Sequence, residues 1–546
     1  MAGDDNMARK ANYQLAGRFA PYKIKKLLYS TSINPKWIEG TEKFWYEWET
    51  SEGKTFYVVD PIRGKKEQIF DNDKIAAELT RISLDPWDAQ HLPIEKIKFI
   101  DKNTLQFDVK SSQDDKGEEV IEEEIDEQKW DLDKKEKEKE KEKIYKKKVF
   151  HFEYKINTQK LRELKDWEAP DKHPKWANVS PDGETIVFAR NHNLYMINAS
   201  DYKKILDAGR GKDGKKAVDA IEKVTVNERQ LTRDGEEYYS YAVFDRGDTD
   251  DKRKRDKGKR KRTRIYWAKD SKKFASIRSD QRKSKDLWVV HSVKNKRPKL
   301  ETYKYDMAGD KNVTQYEIDI HDLATQSILN LDIKKFKDQR IGVYSGRQFR
   351  YPDSDKPQQT VWLAEDSKKF YFYRQSRDMH KVDVCVADTE TGDVKVLFEE
   401  KLNTYVELQR LELLKSGDML WWSERDGWGH IYHYGKNGKL KQQITSGPFS
   451  VRRIMGIDES KQTIYFMANG REENEDPYLQ HLYSVFIDGT RMKLLNEGNF
   501  DHRTSMGESN RFFVNNYSLV NTLPKSALYN TSGKKMADLQ EADLSQ

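Results

Sequence analysis

The sequence contains very little cysteine and no long hydrophobic segment. Its single cysteine, Cys385, excludes an intrachain disulfide, although a missing disulfide does not exclude an exported protein. Cys385 lies in the alternating string VDVCV, which predicts a small packed thiol on a strand. No run of 18 apolar residues occurs, which excludes a membrane-spanning helix, and the first 28 residues contain no apolar core of a signal peptide.

Catalytic and metal-binding motifs are also missing. No Gly-x-Ser-x-Gly string occurs, and the nearest one, GESNR at residues 507–511, lacks the second glycine. No His-Glu-x-x-His, Cys-x-x-Cys, phosphate-binding loop or Gly-x-Gly-x-x-Gly string is present. The eleven histidines are scattered, so their spacing nominates no Ser-His-Asp triad. We therefore predict no catalytic residue, no metal site and no cofactor in this chain.

Charge of one sign is not in excess either. The 100 basic residues face 93 acidic ones, a net charge of +7, which does not by itself indicate nucleic-acid binding. Hydrophobic residues make up only 36% and charged residues 35%, but 13 Trp, 28 Tyr and 22 Phe supply large buried areas. The composition indicates a folded protein with a highly charged surface and two charged insertions, at about 114–148 and 245–264.

A repeated pattern of turn, strand, turn and strand organises nearly the whole chain. The string WANVSPDG at 176–183 precedes two strand-like runs, and its Pro-Asp-Gly is a turn in which glycine accepts positive φ. Variants of the turn recur as DSKK at 270–273 and 366–369, ESKQ at 459–462 and ESNR at 508–511. Eight such units follow one another, at about 33–71, 93–164, 173–235, 265–331, 361–398, 408–447, 451–495 and 501–540.

Units of this length and composition predict an all-β, eight-bladed β-propeller of four-stranded antiparallel blades over residues 33–546. A flat sandwich of the same strands is the structural alternative. Residues 1–32 are expected to form an N-terminal arm outside the repeats. Residues 72–82 begin with good N-cap chemistry and predict a short helix between the first two blades.

The two charged insertions each leave more than one interpretation. The alternating Lys/Glu tract at 135–143 disfavours a helix, because like charges fall four residues apart, and it predicts a solvated hairpin tip or a docking surface. The basic run at 252–264 resembles a nucleic-acid patch. However, aspartates accompany it and no aromatic residue interleaves it, so a solvated loop or a surface that attracts acidic peptide segments is the better interpretation.

One block is more specific than strand chemistry. The string WWSERDGWGHIY at 421–432 resembles the Trp-x-Ser-Glu-Arg-Asp-Gly-Trp-x-His-Leu-Tyr signature of the dipeptidyl peptidase IV N-terminal propeller. Further blocks agree in order, namely residues 176–183, 229–235, 297–310, 481–485 and 501–503. The resemblance extends over about residues 30–546 and implies a propeller that is followed by an α/β-hydrolase domain with a Ser-Asp-His triad.

In that family, the propeller caps the active site, screens peptides by size and helps hold their free N-terminus with a pair of glutamates. The candidates here are Glu236 and Glu237, since two carboxylates offer charge-assisted hydrogen bonds to an ammonium group. They directly follow an Asp-Gly turn, whereas the family pair is found further on, where this chain has the basic run. The pair is therefore interpreted either as the ammonium clamp or as surface-turn residues.

Three functions are compatible with this sequence. The first is the non-catalytic, substrate-gating propeller of a dipeptidyl peptidase IV-like serine peptidase with prolyl-type specificity. Its partners would be a peptide substrate, its own hydrolase domain and a second copy in a homodimer, and the family implies a periplasmic or extracellular location. The second is a free-standing propeller that binds peptides or proteins, and the third is a nucleic-acid-binding propeller. Alone, the chain is expected to be catalytically inactive.

Overall fold

The computed structural model describes residues 12–24, 28–120, 144–212, 214–244, 248–293, 297–351, 354–357, 359–543 and 545. The Lys/Glu tract at 135–143 lies outside these residues. Strands dominate the described chain, and the helices are short. The helices are α1 (Tyr13–Arg18), α2 (Pro21–Ile24), α3 (Asn72–Ser83), α4 (Ala199–Gly209), α5 (Gly214–Glu222) and α6 (Asp250–Asp256).

The strands form successive antiparallel sheets, and all but the fourth sheet are built from consecutive strands. Sheet 1 contains β1 (Lys36–Trp37), β2 (Phe44–Thr50), β3 (Gly53–Asp60) and β4 (Lys65–Gln68). Sheet 2 contains β5 (Ile94–Phe99), β6 (Thr104–Val120), β7 (Ile144–Lys155) and β8 (Lys160–Glu163). Sheet 3 contains β9 (Asn178–Val179), β10 (Thr185–Arg190), β11 (Asn193–Asn198) and β12 (Arg229–Gln230).

Sheet 4 has a divided first strand and carries a separate hairpin. Its strands are β13 (Tyr239–Ser240), β14 (Ile265–Trp267), β15 (Lys273–Asp280), β18 (Gln315–Asp322) and β19 (Ile328–Asn330). The hairpin between β15 and β18 consists of β16 (Asp286–His291) and β17 (Lys299–Lys304). Both β13 and β14 pair with β15, so an insertion at 241–264 interrupts the first strand of this sheet.

The remaining four sheets have four strands each. Sheet 5 contains β20 (Arg340–Val343), β21 (Lys369–Gln375), β22 (Lys381–Asp388) and β23 (Val394–Lys401). Sheet 6 contains β24 (Glu412–Leu413), β25 (Met419–Ser423), β26 (His430–Tyr434) and β27 (Leu440–Gln443). Sheet 7 contains β28 (Ser450–Asp458), β29 (Thr463–Asn469), β30 (Gln480–Phe486) and β31 (Lys493–Leu494). Sheet 8 contains β32 (Asp501–Met506), β33 (Phe512–Ser518), β34 (Lys525–Asn530) and β35 (Lys535–Glu541).

Clusters of buried side chains join neighbouring sheets, among them sheets 1 and 2 and sheets 3 and 4. One cluster spans sheets 4 to 6, another spans sheets 6 and 7, and a third spans sheets 7 and 8. The cluster around Trp37 and Phe44 of sheet 1 includes Leu528 and Leu539 of sheet 8, so the last sheet packs on the first. Packing between the faces of neighbouring sheets explains the continuously buried central strands, such as Met419–Ser423. The predicted all-β propeller is confirmed.

Several local predictions are confirmed as well. Helix α3 begins after Asp71, whose side chain accepts from the backbone N–H of Lys74. Gly183 of the Pro-Asp-Gly turn has φ of 79°, a conformation that favours glycine. Cys385 is fully buried, and burial raises the pKa of its thiol to about 12, so it is an inert packed side chain.

Two predicted unit boundaries are wrong. Sheet 4 starts at Tyr239 rather than near 265, because the insertion at 241–264 separates β13 from β14. Sheet 5 starts at Arg340 rather than near 361, because a long segment at 344–362 separates β20 from the turn before β21. We call this segment the strap. A repeat search that expects adjacent strands misses both first strands.

The strap, which follows the first strand of sheet 5, contacts each of the other seven sheets. Arg347 donates to the carbonyls of Ile454 and Met455 in sheet 7 and pairs with Glu412 of sheet 6 at 2.5 Å. Four further contacts join the strap to sheets 8, 1, 2 and 3: Tyr351 with Glu508, Lys356 with Glu39, Asp355 with Lys98, and Gln359 with the carbonyl of Ser180. The strap returns to sheet 4, where Trp267 N–H donates to the carbonyl of Thr360 at 2.8 Å. The count of eight blades stays a prediction.

The ring has two faces that differ in their loops. In consecutive antiparallel strands, the turns after the first strands lie on one face, and the connections between sheets lie on the other. The turns after the first strands of neighbouring sheets contact one another. For example, Asp182 N–H in the turn of sheet 3 donates to Ser271 Oγ in the turn of sheet 4 at 3.0 Å. We call this side, which carries the strap, the strap face. The opposite side, where the insertion at 241–264 and the last residue of β35 lie, is the cleft face.

Candidate functional site

The two glutamates predicted from the sequence lie on the cleft face, between β12 and β13. The backbone N–H of Glu236 donates to the carbonyl of Tyr239, and Tyr239 N–H donates back to Glu236, both at 2.9 Å. Residues 236–239 therefore form a tight turn. Tyr238 adopts φ of 65° within it, an uncommon conformation for a bulky residue. Both glutamates are exposed.

The turn gives the two carboxylates different surroundings. Glu236 Oε1 lies 2.7 Å from Nη1 of Arg282, a guanidinium that also binds Asp280 at 2.7 Å. Glu237 has no salt-bridge partner in the described part of the chain and lines a cavity of about 320 Å³. The structure thus places both predicted residues on one turn, with Glu236 held by an arginine and Glu237 open to a cavity.

Side chains from three separate segments line that cavity. They come from the β10–β11 turn, from the glutamate turn and from the insertion at 241–264: Asn191, His192, Glu237, Tyr238, Phe244, Arg253, Lys254 and Lys257. Burial lowers the pKa of His192, and Lys257 and Arg253 lower it further against the opposing effect of Glu237. The imidazole is therefore neutral at pH 7. The charged groups of the cavity are then the carboxylate of Glu237 and the three cations of Arg253, Lys254 and Lys257.

Part of the basic run is helical, so the prediction of a plain solvated loop is wrong. Helix α6 begins after Thr249, whose hydroxyl accepts from Lys252 N–H, and Asp250 and Asp251 lie in its first turn. Carboxylates near the helix N-terminus stabilise it, and basic residues follow in the last turn. Asp250 also accepts a hydrogen bond from Thr302 of the β16–β17 hairpin at 2.8 Å, which fixes the helix on the cleft face.

Buried ion pairs fasten the rest of the insertion. Arg260 is only 5% exposed, and it binds Glu228 and the backbone carbonyls of Ile221 and Val224. Asp256 is also buried and pairs with Lys259 at 3.0 Å. Several charges of the basic run are therefore neutralised within the fold, which removes much of its apparent similarity to a nucleic-acid patch.

A rigid charged cluster lies beside the glutamate turn. The guanidinium of Arg278, almost fully buried, pairs with Asp234 and lies 2.6 Å from Glu317. It also stacks over the ring of Tyr239 at 3.9 Å. Burial and the bond to Glu317 raise the pKa of Tyr239 to about 12. The hydroxyl stays protonated, and the cluster holds the turn in place.

Two further cavities continue from the first one. A cavity of about 140 Å³ shares Phe244 and Arg253 with it. The third cavity, of about 1330 Å³, shares Arg264, Thr314 and Tyr316 with the 140 Å³ cavity and extends to Tyr405. We call the three together the cleft. Its size and its position at loops of sheets 3 to 5 suit an extended ligand.

The signature block that carries the resemblance has a structural role. Glu400, only 4% exposed, accepts hydrogen bonds from Trp421 Nε1 at 3.0 Å and Ser423 Oγ at 2.9 Å. Arg425 pairs with the same carboxylate and stacks over Tyr432 at 4.4 Å. The Trp-x-Ser-x-Arg spacing thus supplies three partners of one buried carboxylate. It marks the fold and not a reactive site.

The described residues contain neither a metal-binding cluster nor a membrane-spanning helix. No group of three or more His, Cys, Asp or Glu side chains there is arranged to hold a metal ion. None of the helices described is long and apolar enough to cross a membrane.

Sequence reasoning missed most of the residues around Glu237. His192, Tyr238 and Phe244 belong to no motif, and the positive φ values of His192 and Tyr238 fall on residues other than glycine, which the sequence does not mark. The basic run drew attention to Arg253 by its charge. Nothing in the sequence indicated that the insertion returns to the glutamate turn, because this depends on pairing such as that between Ala189 and Lys261.

Comparison with known proteins supports the same family. Residues 260–524 match the family described as the dipeptidyl peptidase IV (DPP IV) N-terminal region. A probable dipeptidyl peptidase 4 of Aspergillus clavatus is 20% identical over 347 residues, covering 60% of this chain and 38% of its own length. A probable dipeptidyl-aminopeptidase B of Aspergillus oryzae is 21% identical over 422 residues, covering 70% of this chain and 40% of its own length.

Solved structures agree in fold. The dipeptidyl peptidase 4 of Porphyromonas gingivalis has a TM-score of 0.52 and 16% identity, covering 94% of this chain and 60% of its own. A putative dipeptidyl aminopeptidase IV of Bacteroides ovatus has a TM-score of 0.54 and 16% identity, with 95% and 61% covered. The chain therefore spans about 40% of the length of these curated relatives and about 60% of the solved chains. The match of residues 260–524 to the dipeptidyl peptidase IV N-terminal region confirms the resemblance that the Trp-Ser-Glu-Arg-Asp-Gly-Trp block indicated.

Proposed function

We propose that this chain is the non-catalytic propeller of a dipeptidyl peptidase IV-like serine peptidase and that it screens peptide substrates for an α/β-hydrolase domain. The observation that carries the proposal is the position of the cleft. The cleft, the glutamate turn and the end of β35 at Glu541 all lie on the cleft face. A hydrolase domain that follows β35 would therefore cover the cleft, where peptides would be held at its active site.

In this proposal, Glu237 binds the free N-terminal ammonium of the peptide, and Glu236 contributes from the same turn. Glu237 supports the assignment because its carboxylate is exposed, lines a cavity and has no salt-bridge partner in the described chain. Glu236 is already paired with Arg282, so its contribution would be smaller. Prolyl-type specificity, a homodimeric state and a periplasmic or extracellular location belong to the same proposal.

The strap supports entry of peptides from the cleft face. Its contacts run along the ends of the first strands on the opposite face, from Arg347 to Gln359. A peptide that approached the cleft through the ring from that side would have to displace these hydrogen bonds and ion pairs. The strap therefore favours entry of peptides from the cleft face, on the side where the hydrolase domain would lie.

The test is to compare the purified chain alone with the same chain joined to an α/β-hydrolase domain from its gene. The chain alone should hydrolyse no X-Pro or X-Ala chromogenic dipeptide, because it carries no activated nucleophile. The joined protein should release dipeptides from peptides with a free N-terminus. Turnover by the chain alone that survives repurification would contradict the proposal.

A free-standing propeller that binds peptides or partner proteins is the second candidate. The observation that favours it is the size of the cleft, which reaches about 1330 Å³ in its largest cavity without any other domain. Peptide binding by the chain alone, together with no gain of hydrolysis in the joined protein, would support this candidate instead.

A further inference from the structure

Three basic side chains beside Glu237 lack an acidic partner. Arg253, Lys254 and Lys257 line the 320 Å³ cavity, and none of them pairs with a carboxylate within the described residues. Arg253 stacks over the ring of Phe244 at 4.6 Å, and its Nε is buried without a hydrogen-bond acceptor in the described chain. Leaving a buried cationic donor unpaired is unfavourable, so this group is suited to an incoming acceptor.

The neighbouring basic residues behave differently. Lys259 and Lys261 both lie within 4 Å of Asp256, and Arg260 is saturated by Glu228 and backbone carbonyls. Of these six basic residues, the three that line the cavity have no carboxylate partner in the described chain, and the other three are paired. This separation gives the cavity a positively charged lining beside the carboxylate of Glu237.

A ligand for such a cavity carries a positive and a negative group a few ångströms apart. An amino-terminal Asp or Glu residue has this chemistry, because its ammonium and its side-chain carboxylate are separated by only two or three carbon atoms. We propose that this cavity selects peptides with an acidic first residue, whose ammonium binds Glu237 and whose carboxylate binds Arg253, Lys254 and Lys257. The inference rests on the proposed role of the chain in screening peptides and names the substrate class.

Binding by this chain alone tests the selection without any catalysis. The probes are two C-terminally amidated tetrapeptides, Glu-Pro-Gly-Gly and Gln-Pro-Gly-Gly, titrated calorimetrically at about 50 mM salt, where screening is weak. The Glu peptide should bind about tenfold tighter, as expected for a charge-assisted hydrogen bond. N-acetylation of the Glu peptide should weaken its binding by a similar factor, because the ammonium is lost.

Matched variants test whether the preference for the Glu peptide depends on the three cations of the cavity. Replacement of Arg253, Lys254 and Lys257 by Gln should reduce the preference for the Glu peptide over the Gln peptide to less than about twofold. Replacement of three exposed lysines on the strap face by Gln, namely Lys436, Lys439 and Lys534, removes the same charge and should preserve the preference. The double variant Lys254→Glu with Lys257→Glu, at two exposed positions, should favour the Gln peptide and guards against misfolding of the triple variant.

Equal binding of the two peptides to the wild-type chain, or a preference that survives in the triple variant, would overturn the inference. Binding of single-stranded DNA that the triple variant loses, without peptide selectivity, would overturn it as well and would assign the positively charged lining to nucleic acid. A joined protein that releases dipeptides without acidic preference would contradict this inference alone. Acidic preference in the chain without any hydrolysis by the joined protein would contradict only the peptidase proposal.

Discussion

The strap offers the sharpest structural prediction, and Arg347 is the residue to change. Its guanidinium donates to the carbonyls of Met455 at 2.7 Å and Ile454 at 3.1 Å, and it pairs with Glu412 at 2.5 Å. The side chain of Glu412 is only 9% exposed, whereas that of Arg347 is 39% exposed. The substitution Arg347→Gln therefore removes two charge-assisted hydrogen bonds and the closest partner of a nearly buried carboxylate.

The expected loss follows from these contacts. Hydrogen bonds to charged groups contribute about 1.5–3 kcal/mol each when buried, and the partial exposure of Arg347 reduces this. Arg410, whose Nε lies 3.7 Å from Glu412, partly compensates. We expect the free energy of local opening of the strap to fall by about 1.5–3 kcal/mol. The global free energy of unfolding should change little, because the hydrophobic clusters between the sheets are unchanged.

Hydrogen exchange measured by mass spectrometry reports this opening directly. Amides that fasten the strap, such as Gly346 N–H to Val361 O and Trp362 N–H to Trp267 O, should exchange about 10- to 100-fold faster in the variant. The control is Arg350→Gln, in the same strap, since Arg350 is exposed and has no carboxylate partner within 4 Å among the described residues. Equal exchange in the two variants would refute the idea that Arg347 fastens the strap to sheets 6 and 7.

Three further predictions concern the fold. Arg425→Met should destabilise the protein by about 3–5 kcal/mol in urea unfolding, because the buried Glu400 loses its cation, and Arg491→Met, at an exposed site, should have little effect. Burial lowers the pKa of His502 to about 4, below about 6.5 in an unfolded chain. Unfolding then takes up a proton, so stability should fall as the pH drops from about 6.5 to 4, with a smaller slope in His502→Gln. Cys385 should resist alkylation until the protein unfolds, because it is buried and its pKa is raised.

The features that the sequence predicted well are local. The Pro-Asp-Gly turn, the N-cap of α3 and the strand around Cys385 each depend on neighbouring residues, and the structure contains all three. The signature block also has a compact cause, since Trp421, Ser423 and Arg425 all contact one carboxylate, that of Glu400 on the last strand of the preceding sheet. Short-range patterns of this kind are visible in a single sequence.

The features that escaped prediction depend on long insertions. The strap separates β20 from β21, and the insertion at 241–264 divides the first strand of sheet 4, so neither first strand has a neighbour in sequence. The neighbourhood of Glu237 is non-local for the same reason, because Arg253 returns to it only after helix α6. The helix itself was missed, since its stability comes from Thr249, Asp250 and the contact with Thr302 and not from an apolar stripe.

The most direct test of the central proposal is the kcat/KM of the propeller joined to its hydrolase domain, measured on a free-N-terminal X-Pro peptide and on its N-acetylated form. Glu237→Gln should lower kcat/KM for the free peptide by about 10- to 100-fold, the loss of about 1.5–3 kcal/mol expected for one charge-assisted bond to the ammonium. Glu236→Gln should cost less, because Arg282 already holds that carboxylate. The acetylated peptide should be hydrolysed equally by all three proteins. No hydrolysis by the joined wild-type protein, or equal kcat/KM for the free peptide in wild type and Glu237→Gln, would contradict the account.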